Sequence, residues 1–132
     1  MENIMEDSTT EARKRAAVQF LRLIVAGHID EAYQTYVDMK GKHHNPFFPA
    51  GLAALQQAMK DNHSQRPNKQ INVKNVLADG DLVAVQSELT LSPGGDRMAV
   101  WHLHRFEGER IVELWDCGQA LPANSPNKDG AF

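Results

Sequence analysis

Met98-Ala99-Val100-Trp101-His102-Leu103-His104-Arg105-Phe106, then Glu107-Gly108-Glu109, then Arg110-Ile111-Val112-Glu113-Leu114-Trp115-Asp116 is the stretch on which the fold turns. Two β-rich runs flank a short Gly-containing segment, the signature of a hairpin. Alternation puts Met98, Val100, His102, His104 and Phe106 on one face of the first strand, and Ala99, Trp101, Leu103 and Arg105 on the other. The second strand, Arg110–Gln119, divides into Val112, Leu114, Asp116 and Gly118 against Ile111, Glu113, Trp115 and Cys117. A three-residue turn would pair Phe106 with Arg110 and gather Phe106, Val112, Leu114 and Val100 on one apolar face. In that register His102 faces Leu114 and lies diagonal to Asp116, within side-chain reach.

Two further strands precede this hairpin. Ile71–Leu77 and Leu82–Leu91 are separated by Ala78-Asp79-Gly80-Asp81, and Ser92-Pro93-Gly94-Gly95-Asp96 forms the next turn. The half before them reads as helix. Ser8-Thr9-Thr10-Glu11 has the form of a capping box, and Ala16, Phe20, Leu23 and Ile24 follow as one stripe ending at Gly27. A short helix is expected from Asp30 as N-cap, burying Ala32, Tyr33, Tyr36 and Val37. Lys40–Pro46 reads as a loop, and Pro49 suits the first turn of a third helix carrying Leu52, Leu55 and Met59. The tail, residues 122–132, is Pro-bearing and polar. The expectation is α+β: one domain over residues 1–132, its N-terminal helices packed on a curved antiparallel sheet that encloses a cone-shaped pocket.

Composition narrows the function. The chain has 132 residues, 42% of them apolar, enough for one core without disulfides or metal. Fourteen basic against seventeen acidic side chains leave no basic footprint for nucleic acid or an anionic membrane. The longest apolar run, Phe20–Ala26, is interrupted by Arg22 and is too short to span a bilayer. Acidic residues at Glu2, Glu6, Asp7 and Glu11, with no apolar core between them, do not read as a secretory signal, so a cytoplasmic protein is expected. One cysteine, Cys117, cannot form an internal disulfide. Six histidines in so small a chain hint at a polar site.

A carboxylate and an imidazole on one apolar wall have two readings. They are a proton-transfer pair, or a structural pair tying two strands together.

His44-Asn45-Pro46, Ala99-Val100-Trp101-His102-Leu103-His104-Arg105-Phe106-Glu107-Gly108 and Ile111-Val112-Glu113-Leu114-Trp115-Asp116 resemble the SnoaL-like family. These are predicted aldol-condensation proteins of the NTF2-like superfamily, related to polyketide cyclases. The resemblance runs from about Tyr36 to Phe132. It implies a cone-shaped α+β barrel, commonly dimeric, with a ligand pocket between helices and sheet. It also implies Asp116 as acid/base and His102 as its helper. His44 and Asn45 would stand at the pocket mouth, with His104, Phe106, Leu114 and Tyr33 on its walls. Many members similar to this chain have Asp at the position of His102 and Phe at that of His104; this chain has His at both. The implied reaction is an aldol ring closure of a small hydrophobic carbonyl compound, without metal or cofactor.

His102-Leu103-His104 also has the spacing of a strand-borne metal pair, but Glu107 falls in the turn and no His follows His104. No metal is expected. His28 and His63 read as solvated. Trp101, Trp115 and Cys117 fall on the outer face, where two exposed indoles favour a homodimer. The alternative to an enzyme is a non-catalytic small-ligand-binding protein of the same fold.

Overall fold

A computed structural model describes residues 2–132, with side chains from Ser8 onward. The acidic side chains of Glu2, Glu6 and Asp7 therefore lie outside the described residues. Eight elements follow one another. They are α1 (Glu2–Ala26), α2 (Ile29–Tyr36), β1 (Val37–His43), α3 (Leu52–Gln65), β2 (Gln70–Asp79), β3 (Leu82–Thr90), β4 (Arg97–Glu107) and β5 (Arg110–Ala120). The five strands form one sheet in the order β1-β5-β4-β3-β2. Strands β2 to β5 make the expected antiparallel meander. The sheet as a whole is mixed, because β1 runs parallel to β5. Among the described residues, no helix is long and apolar enough to cross a membrane.

The helices cover one face of this sheet. Ala16, Ala17, Phe20, Leu21 and Ile24 of α1 are buried with Ile29, Ala32 and Tyr33 of α2 and Leu52 and Leu55 of α3. They meet Val83, Val85, Phe106, Ile111 and Leu114 from the strands. The apolar stripe of α1 ends at Gly27, whose φ of 91° is the left-handed conformation a helix stop requires. His28 N–H then donates to Leu23 O at 2.9 Å, closing the cap. Arg13 crosses from α1 to the far end of the sheet, donating to Gly108 O at 2.9 Å and Gly80 O at 3.2 Å.

Several local expectations are corrected. Ser8–Glu11 lies inside α1 and caps nothing, since no Gly or Pro upstream interrupts the helix. The N-cap of α2 is His28, and Asp30 sits in the first turn, accepting from Gln56 at 2.8 Å and Lys60 at 3.2 Å. Pro49 precedes α3, which starts after Gly51, whose φ of 98° is incompatible with helix. His63 is not simply solvated: its ring lies against Gly27, where a Cβ would come within 2.3 Å of Nε2. The segment expected as a loop from Lys40 is strand as far as His43.

The register of the β4–β5 hairpin also differs from expectation. Its turn has two residues, with Glu107 opposite Arg110 and Phe106 opposite Ile111. The register then shifts: Arg105 pairs with Glu113, His104 with Leu114 and His102 with Asp116. Val112 is thus the extra residue of a β-bulge. The dipeptide Ile111-Val112 has two apolar side chains where the alternation offers one inner place. Ile111 takes it, joining the core, and Val112 is buried outside that cluster. The carbonyl of Val112 meets Gly41 on β1, where a Cβ would lie 2.2 Å from it. Only a residue without a side chain lets β1 come this close.

Residues 121–132 form no helix or strand. Leu121 N–H donates to Arg97 O at 3.0 Å, and the ring of Phe132 lies 5.1 Å from Lys74 Nζ.

Gly41→Ala should destabilise the fold by about 1–3 kcal/mol, the usual cost of forcing volume into a packed site. Urea unfolding measures it, and a change within about 0.5 kcal/mol would contradict the close approach at Val112.

Candidate functional site

Beyond the bulge, the inner face of β4 and β5 carries Asp116 opposite His102 and Leu114 opposite His104. Both histidines point under the helices because both occupy even positions of β4. His104 is 1% exposed, its ring edge-on to Phe20 at 5.6 Å between centroids. Phe20 in turn meets Tyr33 at 5.4 Å.

The segment after β1 supplies the group that holds Asp116. Asn45 Oδ1 accepts from Phe47 N–H at 2.9 Å, a local turn that orients the amide. Its Nδ2 then donates to both oxygens of Asp116, at 3.2 and 3.1 Å. His43 buttresses the same turn. Its Nδ1 accepts from Asn45 N–H at 3.1 Å, so Nε2 carries the proton that reaches Pro49 O at 2.7 Å. Among the described residues, Asp116 has no ion-pair partner.

These side chains stand where two spaces meet. An inner chamber of about 60 Å³ is lined by Phe20, Tyr33, His43, Leu55, His104 and Leu114, among others. An outer cleft of about 450 Å³, within the size range of small-molecule sites, continues along the sheet past Ser87, Val100 and Gly118. Leu21, Ile24, Asn45, Met59, His102 and Asp116 border both.

Burial sets the protonation states here. His102 has its affinity for a proton lowered by burial, with the charge of Asp116 acting in the opposite direction. His104 is pushed down to about 3, first by burial and then by its neighbour His102, so it is neutral at pH 7. The Tyr33 hydroxyl is held above the usual phenol range by burial and, secondarily, by Asp116. Nδ1 of His102, Nδ1 of His104 and Oγ of Ser87 are buried without a hydrogen-bond partner. Each such atom costs about 1–3 kcal/mol unless a ligand or water meets it. Among the described residues, no cluster of three or more His, Cys, Asp or Glu could hold a metal ion.

Of the residues singled out from sequence, Asp116, His102, His104, Asn45, Leu114 and Tyr33 converge on this junction. Two do not. Phe106 is 1% exposed in the core and borders neither space. His44 is on the opposite face of the sheet, bonded to Glu113 Oε2 at 2.6 Å and stacked on Trp115 at 4.9 Å. One residue along a strand reverses the face, so His43 takes the inward place expected of His44. Sequence reasoning also passed over Lys69 and the cleft-lining role of Ser87. Ser87 was readable, since it alternates with Val83, Val85 and Leu89; Lys69, between two elements, carried no periodic signal.

The SnoaL-like domain profile matches residues 17–114. Among curated proteins no sequence matches the chain. Solved structures share the fold at low identity. A candidate polyketide cyclase from Acidithiobacillus ferrooxidans is 24% identical with a TM-score of 0.69, covering 81% of this chain and 87% of that one. AclR, a candidate hydroxylase from Streptomyces galilaeus, is 19% identical with a TM-score of 0.71, covering 83% and 90%. A candidate ketosteroid isomerase from Kribbella flavida is 19% identical with a TM-score of 0.67, covering 91% and 87%.

The neutral histidines give stability a pH dependence. A depressed folded-state affinity means the unfolded chain binds more protons, so this stability is complete above the unfolded value near 6.5. It falls as pH drops through the window between about 6.5 and about 3. Urea unfolding from pH 7 to 4 should show this fall, and His104→Gln should reduce its slope by close to one proton. An unchanged slope would place His104 in a solvated, freely titrating setting.

Proposed function

The chain belongs to the SnoaL-like family, and on that premise we propose that it is a cofactor-independent acid/base enzyme acting on a small hydrophobic carbonyl compound. The observation that carries this reading is Asp116. Its carboxylate borders an apolar cleft with an amide, rather than a cation, as its hydrogen-bonding partner. A carboxylate paired with Lys or Arg is tied up in an ion pair; one held by the Asn45 amide is free of a cation and fixed in direction.

The proposed reaction is an aldol ring closure. Asp116 removes a proton from a carbon flanked by two carbonyls. The enolate carbon attacks a second carbonyl of the same molecule, forming the ring C–C bond and leaving an alkoxide. The proton held by Asp116 returns to that alkoxide, so the carboxylate is regenerated. His102, neutral because it is buried, donates a hydrogen bond to the enolate oxygen as charge develops there. The apolar walls fold the substrate into a near-attack shape. Two structural neighbours, a candidate polyketide cyclase and a candidate ketosteroid isomerase, are named for activities compatible with this reading.

We also propose a homodimer through the outer sheet face, where Trp101 is 43% exposed.

Asp116→Asn should lower turnover of a poly-β-ketone substrate by about 10²–10⁴, the usual weight of a general base. Asn45→Ala should give a smaller loss of about tenfold, through misdirection of the carboxylate. Full turnover in Asp116→Asn would remove the catalytic reading and leave a ligand-binding protein. Trp101→Glu should shift the sedimentation coefficient from dimer to monomer; a monomeric native protein would contradict the proposed assembly.

A further inference from the structure

The outer cleft has a second charged side chain that the proposed reaction does not use. Lys69, between α3 and β2, borders the cleft with Ile71, Leu89 and Met98. It is partly buried, and among the described residues it forms no ion pair. Its hydrogen bond goes to Asn62 Oδ1, a neutral acceptor. Burial, together with the nearby charge of Arg66, lowers its hold on the proton. A partly desolvated ammonium beside apolar side chains is stabilised when an anion reaches it.

Lys69 and Asp116 sit at different ends of the same cleft. Asp116 belongs to β5, and Lys69 immediately precedes β2, three strands away in the sheet order. Across the strands that is about 14 Å, and along them Asp116 stands level with Val76, through His102 and Val85, seven residues beyond Lys69. The wall between them includes Val100, Met98 and Leu89, with Ser87 fully buried among the lining residues. The cleft therefore has an anionic end, a mainly apolar middle and a cationic end.

We propose that Lys69 is a specificity residue, and that the cleft takes an elongated apolar ligand bearing a carboxylate-like anionic group at the end remote from Asp116. The orientation follows from charge. The anionic group is repelled by Asp116 and attracted by Lys69, so the carbonyl-bearing end is presented to the base. The inference rests on the reading above only for the location of the ligand.

Two dyes of nearly equal shape test it: 1-anilinonaphthalene-8-sulfonate and its uncharged counterpart N-phenyl-1-naphthylamine. Fluorescence titration of the full chain should show the sulfonate binding on the order of tenfold more tightly, as expected for a charge-assisted contact. Lys69→Met should abolish that preference while leaving the neutral dye unaffected, and Lys69→Arg should retain it. Lys42→Met, on the outer face beside Glu113, should change neither affinity. Gly118→Leu fills the cleft, because a Cβ there already meets Met98 and Val100 at 3.3 and 3.4 Å, and should weaken both dyes. Equal affinities in the native protein, a preference that survives Lys69→Met, or undiminished binding in Gly118→Leu would each overturn the proposal. A sulfonate preference without Asp116-dependent turnover would support Lys69 recognition and reject only the catalytic reading.

Discussion

The site depends on one main-chain contact, the approach of Gly41 to the carbonyl of Val112. A two-residue hairpin turn pairs residues of opposite parity, so a regular β4–β5 ladder would turn Trp115 toward the helices and Asp116 toward the outside. The bulge at Val112 adds the residue that reverses this. Every inward side chain of β5 beyond it, Leu114 and Asp116 included, owes its direction to that insertion. Strand β1 lies against the bulge, and the missing side chain at Gly41 is what makes room for it. The parallel strand at the sheet edge and the geometry around Asp116 are thus parts of one arrangement. Asn45, two residues past the end of β1, reaches Asp116 because that edge is docked.

Much of this could be read from the residues. The alternation of β3 and β4 is strict, and their inner faces follow it position by position. The helical stripe of α1 was legible for the same reason, since Phe20 and Ile24 recur at the helical period. What escaped is set by contacts distant in sequence. Nothing in Lys40-Gly41-Lys42-His43 looks like a strand, because its pairing partner lies some seventy residues away and its glycine matters only through Val112. The parity of the hairpin came out right for a wrong reason: a three-residue turn and a two-residue turn with a bulge both place even positions together. The two differ by one pairing step, which is why Asp116 stands opposite His102 instead of diagonal to it. For His44 the consequence was larger, because extending β1 to His43 fixes which of two adjacent histidines faces inward.

The electrostatics follow from the same burial. Two imidazoles on one strand face, with ring centroids 6.1 Å apart under a helical cover, cannot both carry charge at low cost. Asp116 stands opposite His102 across the strands, at the junction where those imidazoles are held neutral. Fold stability and access to the site are therefore set by the same desolvation, and they pull in opposite directions. Sealing the chamber would help the core and close the opening through which a ligand would reach Asp116.

Arg13 reads the two hairpin turns in an unusual way. Its guanidinium reaches the carbonyls of Gly80 and Gly108 and leaves the turn side chains untouched. The side chains at Asp79, Asp81, Glu107 and Glu109 are thereby released from any part in holding helix to sheet. That end of the molecule can drift in sequence or accept grafted loop residues while α1 stays anchored, so variation there is uncoupled from the geometry of the pocket.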